Sequence, residues 1–181
     1  MKKILLGLFL SASMIACTSK TETKTEIIKD NSKNQELFDR NVASFNKAID
    51  AFVAEDPEVF ASFFADSVKW CGPEKKLLTE YSTKAEMVQA LKMYFSLYDN
   101  HKLDAQFYSG INYSTNKEDL TTYGDNPNNI RILGNWYHKH TASGKDVSSK
   151  WFAIIRFNSD GKIYLFNDFF DVTGLLKQHE Q

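Results

Sequence analysis

The chain has 181 residues, 22 Lys and Arg against 23 Asp and Glu, a formal net charge of −1, and 43% hydrophobic residues of which many are aromatic. That balance, with no basic stripe, excludes a nucleic-acid-binding class, whose footprint is a clustered excess of Lys and Arg. Two cysteines, one of them placed among processing signals, exclude a disulfide framework, and there is no internal repeat.

Lys2 and Lys3 precede the apolar run Ile4-Leu-Leu-Gly-Leu-Phe-Leu10, which is shorter than the roughly 20 residues needed to span a bilayer. With Met14-Ile15-Ala16-Cys17 behind it, the segment reads as a signal peptide over 1–16. The tetrapeptide resembles the lipobox of bacterial lipoproteins, which implies lipidation of Cys17 and a lipid anchor in the cell envelope without a transmembrane helix. An ordinary secretory signal with a chance cysteine is the alternative. Thr18, in place of an aspartate, points to the outer rather than the inner membrane.

Residues 17–35 are rich in Thr, Lys, Glu, Asp and Asn, with Ile27 and Ile28 the one apolar pair. Such a segment buries too little surface to offset its ordering entropy and reads as a flexible tether. Loss of Lys2 and Lys3 moves the mature chain to a charge near −3. Roughly 145 residues remain, which suits one domain with its own core. With Cys17 lipidated, Cys71 has no partner in the chain and reads as a packed or half-exposed thiol rather than a nucleophile.

Phe38, Val42, Phe45, Ile49 and Phe52 step by four, three, four and three and draw one apolar stripe on a helix. Ala54-Glu55-Asp56-Pro57 then breaks the pattern, with Asp56 suited to cap a second helix and Pro57 to its first position. Val59, Phe60, Phe63 and Phe64 give that helix its apolar face, and Ser67 to Cys71 reads as a short strand stopped by Gly72-Pro73. A third helix opens at Thr83-Lys-Ala-Glu86, the capping-box spacing, with a stripe of Met87, Val88, Leu91, Tyr94, Phe95 and Tyr98. Strand texture follows over Leu103–Tyr113 and Asn129–Thr141, around a polar stretch with Gly124-Asp-Asn-Pro127. Lys150–Phe157, the turn Asn158-Ser-Asp-Gly161, and Lys162–Phe170 read as a hairpin. The closing stretch Ile163–Leu176 ends in a short helical turn, before which Asp171 is placed to cap. Helices first and strands after define an α+β domain with helices packed on one sheet face.

Two stretches, "NKAIDAFVAEDPEVFASFFADSVKW" and "WFAIIRFNSDGKIYLFNDFFDVTGLL", resemble the nuclear transport factor 2-like superfamily, close to its SnoaL-like, polyketide cyclase-like branch. The resemblance covers residues 36–178, most weakly over 113–129. It implies a single-domain, cystatin-like cone: a strongly curved antiparallel sheet wrapped around the N-terminal helices, with a cavity between. Ketosteroid isomerase-like relatives work through a Tyr, an Asp base and an oxyanion-binding Asp in that cavity. Laid on this chain, those positions fall on Ala48, Gly72 and Ala153, so that chemistry is not expected.

The same resemblance implies which residues face the cavity, by the period-two rule of strands. The inward set includes Trp70; Gly134, Trp136, His138 and His140; Ser149, Trp151 and Ala153; and Phe166, Asp168 and Phe170. Trp70, Trp136, Ser149, Trp151, Phe166 and Phe170 are the candidate ligand-binding residues, since aromatics combine large apolar area with a polar handle. Asp168 is the candidate catalytic base, with His138 and His140 assisting. An Asp among Phe166, Phe170 and Trp151 is disfavoured in its charged form, which moves it towards general-base usefulness; the alternative is that it satisfies a buried Tyr or Trp donor. The hairpin registers place His138, Trp151 and Asp168 in one row, with His138 and Asp168 about 9–10 Å apart.

His138 and His140 have a metal-ligand spacing, but a third ligand would lie two strands away, so no metal is expected, nor any cofactor. On the opposite sheet face, Tyr137, Phe152, Ile154, Leu165 and Phe169 accompany Arg156; strands apolar on both faces are covered on both, and a homodimer through this face is expected. The functional expectation is a lipid-anchored envelope protein binding a small apolar molecule. The alternatives are a cofactor-independent isomerase, cyclase or hydro-lyase with Asp168 as base, and an interaction domain whose interior is plain core.

Overall fold

The computed structural model describes residues 32–109 and 126–180. The signal peptide, Cys17, the pair Ile27-Ile28 and nearly all of the polar 113–129 segment lie outside the described residues. The element order is α1 (Ser32–Val53), α2 (Pro57–Ser62), β1 (Phe64–Cys71), α3 (Lys84–Leu97), β2 (Tyr98–Ser109), β3 (Asn129–His140), β4 (Asp146–Phe157), β5 (Ile163–Phe169) and α4 (Val172–Glu180). Among these, no helix is long and apolar enough to cross a membrane.

The apolar stripe of α1 turns Phe45 and Ala48 into the interior, both fully buried. Helix α1 already begins at Ser32, inside the segment read as tether. It ends at Val53; Glu55 follows with a φ of 56°, in the left-handed region, and Asp56 then caps α2 by accepting from the Val59 amide at 2.9 Å. At α3 the capping box is complete: the Thr83 amide donates to Glu86 at 2.7 Å, and the Glu86 amide donates to the Thr83 hydroxyl at 3.3 Å.

Tyr98 departs from its place on the α3 stripe. It caps the helix with an extended backbone and opens β2, paired with His140. The reason is packing, because its ring is 2% exposed in a small cluster with Val147 and Leu175.

The five strands form one sheet in the order β1-β5-β4-β3-β2. From β2 to β5 every pairing is antiparallel. The antiparallel expectation does not extend to β1, which joins β5 in parallel; no hairpin links these strands, since β1 is the first strand and β5 the last. Gly134 shows how tightly β2 and β3 approach. A Cβ there would lie 2.5 Å from the Asp104 carbonyl oxygen and 2.7 Å from the Ala105 Cβ, so only glycine fits without a shift.

The register corrects one expectation. His138, Trp151 and Asp168 do not share a row: Trp151 faces Gly134, Asp168 faces Ala153, and His138 faces Val147. Strand β4 begins at Asp146 rather than Lys150, because the β3–β4 turn closes early, with the His140 amide bonded to the Lys145 carbonyl at 2.8 Å. His138 therefore stands four residues along β3 from the Trp151 row, about 13 Å along the strand. Phe45 holds the middle of the core, stacked on Trp151 with ring centroids 6.4 Å apart and edge-on to Phe107 and Phe166.

Candidate functional site

Between α1, α3, α4 and the concave face of the sheet lies a cavity of about 380 Å³. All six residues read as ligand-binding line it: Trp70, Trp136, Ser149, Trp151, Phe166 and Phe170. Asp168 and His138 line it too. His140 does not. It sits beyond the cavity at the end of β3, bonded through Nδ1 to the Ser143 hydroxyl at 2.8 Å and stacked on His179 at 3.7 Å. Trp136 and Trp151 are buried at 7% and 4% exposure, yet they leave the cavity open rather than filling it.

Asp168 accepts a hydrogen bond of 2.5 Å from the Trp151 indole N–H. Burial pushes its carboxyl up to about 7; the Trp151 bond opposes the rise and the Glu74 charge adds to it. Asp168 lines this cavity and also a second, wider one of about 800 Å³. A carboxyl balanced near neutrality can take or give a proton, and the indole bond fixes where it points. Trp70 adds a second polar handle, as its indole nitrogen is buried with no hydrogen-bond partner.

At the other end of the cavity the polar groups engage one another. The Tyr94 hydroxyl lies 3.0 Å from His138 Nε2, and His138 Nδ1 lies 2.8 Å from His101 Nδ1. Burial, then the neighbouring His101, pushes His138 down to about 3; burial pushes His101 down to about 4 against a small opposing pull from Asp99. Both imidazoles are therefore neutral near pH 7. Both His138 nitrogens are thus engaged within this cluster, away from the Trp151 row.

Tyr94 and His101 were not singled out from the sequence, Tyr94 being taken for core. The meeting of His101 with His138 depends on a bulge: Asp99 pairs with Lys139 but Lys102 with Tyr137, so residues 100 and 101 both stand against 138. Among the described residues, no three His, Cys, Asp or Glu side chains converge as a metal site. Cys71 is 3% exposed, its Sγ is 3.6 Å from the Leu77 carbonyl oxygen, and burial pushes its thiol up, away from the thiolate. Ala48 and Ala153 are fully buried, so two of the isomerase positions are plain core. Asp171 caps α4 by accepting from the Gly174 amide at 2.8 Å.

No family model and no curated protein matches the chain. Solved structures do match in shape. A candidate polyketide cyclase from Xanthomonas campestris superposes with a TM-score of 0.59 at 14% identity, over 78% of this chain and 98% of that one. A candidate hydroxylase from Streptomyces galilaeus gives 0.60 at 12% identity, over 79% and 97%. An NTF2-like protein of unknown function from Burkholderia pseudomallei gives 0.57 at 16% identity, over 78% and 98%. The chain has the nuclear transport factor 2-like fold, the α+β architecture that the two sequence stretches resembled. Identities this low carry the fold and no reaction.

Proposed function

We propose that the protein is a lipid-anchored envelope protein that binds a small, largely apolar molecule in its cavity. The observation that carries the reading is the cavity itself: about 380 Å³, walled by three Trp and several Phe, with a few inward polar groups. Sites for small molecules have this character and range over roughly 300–1,000 Å³. An interaction domain with a solid interior fits this open volume less well. The sequence supports the anchor through Cys17 and its preceding apolar run, with the outer membrane as its site.

The test is native mass spectrometry of the full chain, released from detergent after exposure to an envelope extract. One bound small molecule is the expected result, lost in Ala90→Trp, which fills the cavity from α3. No adduct on the unaltered chain, or an adduct undiminished in that variant, would refute the reading.

Asp168 favours a second reading, a cofactor-independent isomerase, cyclase or hydro-lyase with this carboxylate as base. Its support is the rise to about 7 together with the Trp151 bond. Neighbours in fold bear the names cyclase, isomerase and hydroxylase, so the fold does not select a reaction. Asp168→Asn keeps binding and abolishes turnover on this reading; full turnover in the variant removes it. A homodimer through the outer sheet face completes the proposal, supported by Leu133 and Tyr137, 49% and 43% exposed, beside the stacked pair Phe152 and Phe169. A monomer in light scattering at micromolar concentration would count against the dimer.

A further inference from the structure

We propose that Tyr94, His138, His101 and Glu55 form a proton relay joining the cavity wall to solvent at the α1–α2 break. Tyr94 and His138 line the cavity. From Tyr94 the contacts run 3.0 Å to His138, 2.8 Å on to His101, and 3.7 Å from His101 Nε2 to the Glu55 carboxylate. The path leads outward, since the His101 side chain is 0% exposed and that of Glu55 40%.

Two features set this apart from a satisfied core network. His101 Nε2 is buried and has no hydrogen-bond partner, although Glu55 faces it. A side-chain shift of about 1 Å closes that gap to hydrogen-bond distance. Glu55 is also held in the left-handed region, where glycine or asparagine ordinarily stands. Strain of this kind gathers at working sites. The titratable groups facing the two rings are Glu55 from the α1–α2 break, Tyr94 from α3, and Tyr98 and Asp99 on the strand of His101.

The chemistry sets a direction. Two Nδ1 atoms bond only when one of them carries a proton. The Glu55 carboxylate favours a proton on His101 Nε2, which leaves His101 Nδ1 bare. His138 Nδ1 then carries the proton, and His138 Nε2 accepts from the Tyr94 hydroxyl. All three donors point from cavity to solvent.

An O–H acid in the cavity, a phenol or an enol, can discharge through this chain. Its proton passes to the Tyr94 oxygen as the Tyr94 proton passes to His138 Nε2. The His138 Nδ1 proton moves to His101 Nδ1, and the His101 Nε2 proton moves to Glu55, which releases it to water. Counting the release to water, five bonds to hydrogen break and five form, the ligand loses one proton, and both imidazoles end neutral with their tautomers exchanged, to be reset before the next transfer. The depressed basicity of both rings supports this, because neither is left as a trapped cation.

The relay rests on the cavity reading for the donor it serves, but its test needs no ligand. The full chain, labelled with ¹⁵N-histidine and held in detergent micelles at pH 7, is read by imidazole ¹⁵N–¹H correlation. His101 protonated at Nε2 and His138 at Nδ1 is the expected pattern; the opposite tautomers, or a charged ring, overturn the relay. Glu55→Gln keeps an acceptor but cannot carry the proton. It slows exchange of the ring N–H protons with water at least tenfold while the amide spectrum holds; unchanged exchange also overturns the relay. The tautomer pattern stands alone if the variant disturbs the fold, and an empty cavity in mass spectrometry leaves both readouts intact.

Discussion

Replacing Asp168 with Asn turns the buried carboxyl into a measurement. In the folded chain its pKa is raised from 3.8 to about 7, so folding favours its protonated form. The stability it contributes is fully present below about pH 4 and is lost as pH rises to about 7. At about 1.4 kcal/mol per unit, that shift amounts to an upper figure of about 4 kcal/mol. Water that reaches the cavity edge screens the charge, so about 2–4 kcal/mol is the working range. Asn keeps an oxygen for the Trp151 indole N–H and cannot ionise. The variant should match the parent at about pH 4 and exceed it by about 2–4 kcal/mol at about pH 8. Urea unfolding of the detergent-solubilised full chain, followed by tryptophan fluorescence at several pH values, reads the difference directly. A constant offset across that range would refute the reasoning, because it would mean the carboxyl titrates alike in the folded and unfolded chain.

Further outcomes follow from the same structure. His101 and His138 are pushed down to about 4 and about 3, so the stability they contribute is present above about pH 6.5 and lost as pH falls through those values. Unfolding of the Asp168→Asn chain, which lacks the opposing carboxyl, should weaken by about 1–3 kcal/mol per pH unit between about pH 6 and 4; a flat profile there contradicts neutral buried rings. Gly134→Ala places a methyl against the Asp104 carbonyl oxygen and Ala105, and should cost about 1–3 kcal/mol in urea unfolding. An unchanged midpoint would mean β2 and β3 can part without loss.

The fold was legible because its signals are local and agree. The α1 stripe, the Asp56-Pro57 start, the Thr83–Glu86 box and the Asn158–Gly161 turn each constrain a few neighbouring residues, and the inward parity followed from one anchored position. The row of His138, Trp151 and Asp168 was misplaced because register depends on where a turn closes, and β4 starts four residues before Lys150. Tyr98 changed element because its ring is worth more packed on Val147 and Leu175 than at the end of a helix stripe. The histidine pair escaped notice for a related reason. It is made by a bulge in β2 between Asp99 and Lys102, which no local residue pattern announces.

The parallel pairing of β1 with β5 has a consequence for timing. Trp70 lies beside Phe166, so one wall of the cavity joins an early strand to a late one, a contact of high sequence separation that forms slowly. The hairpin of β4 and β5 can zip from its turn while β1 is still free. A chain in that half-built condition has no enclosed pocket, so a ligand rewards only the finished protein. A ligand bound there would act as a late lock on folding, slowing unfolding more than hastening assembly.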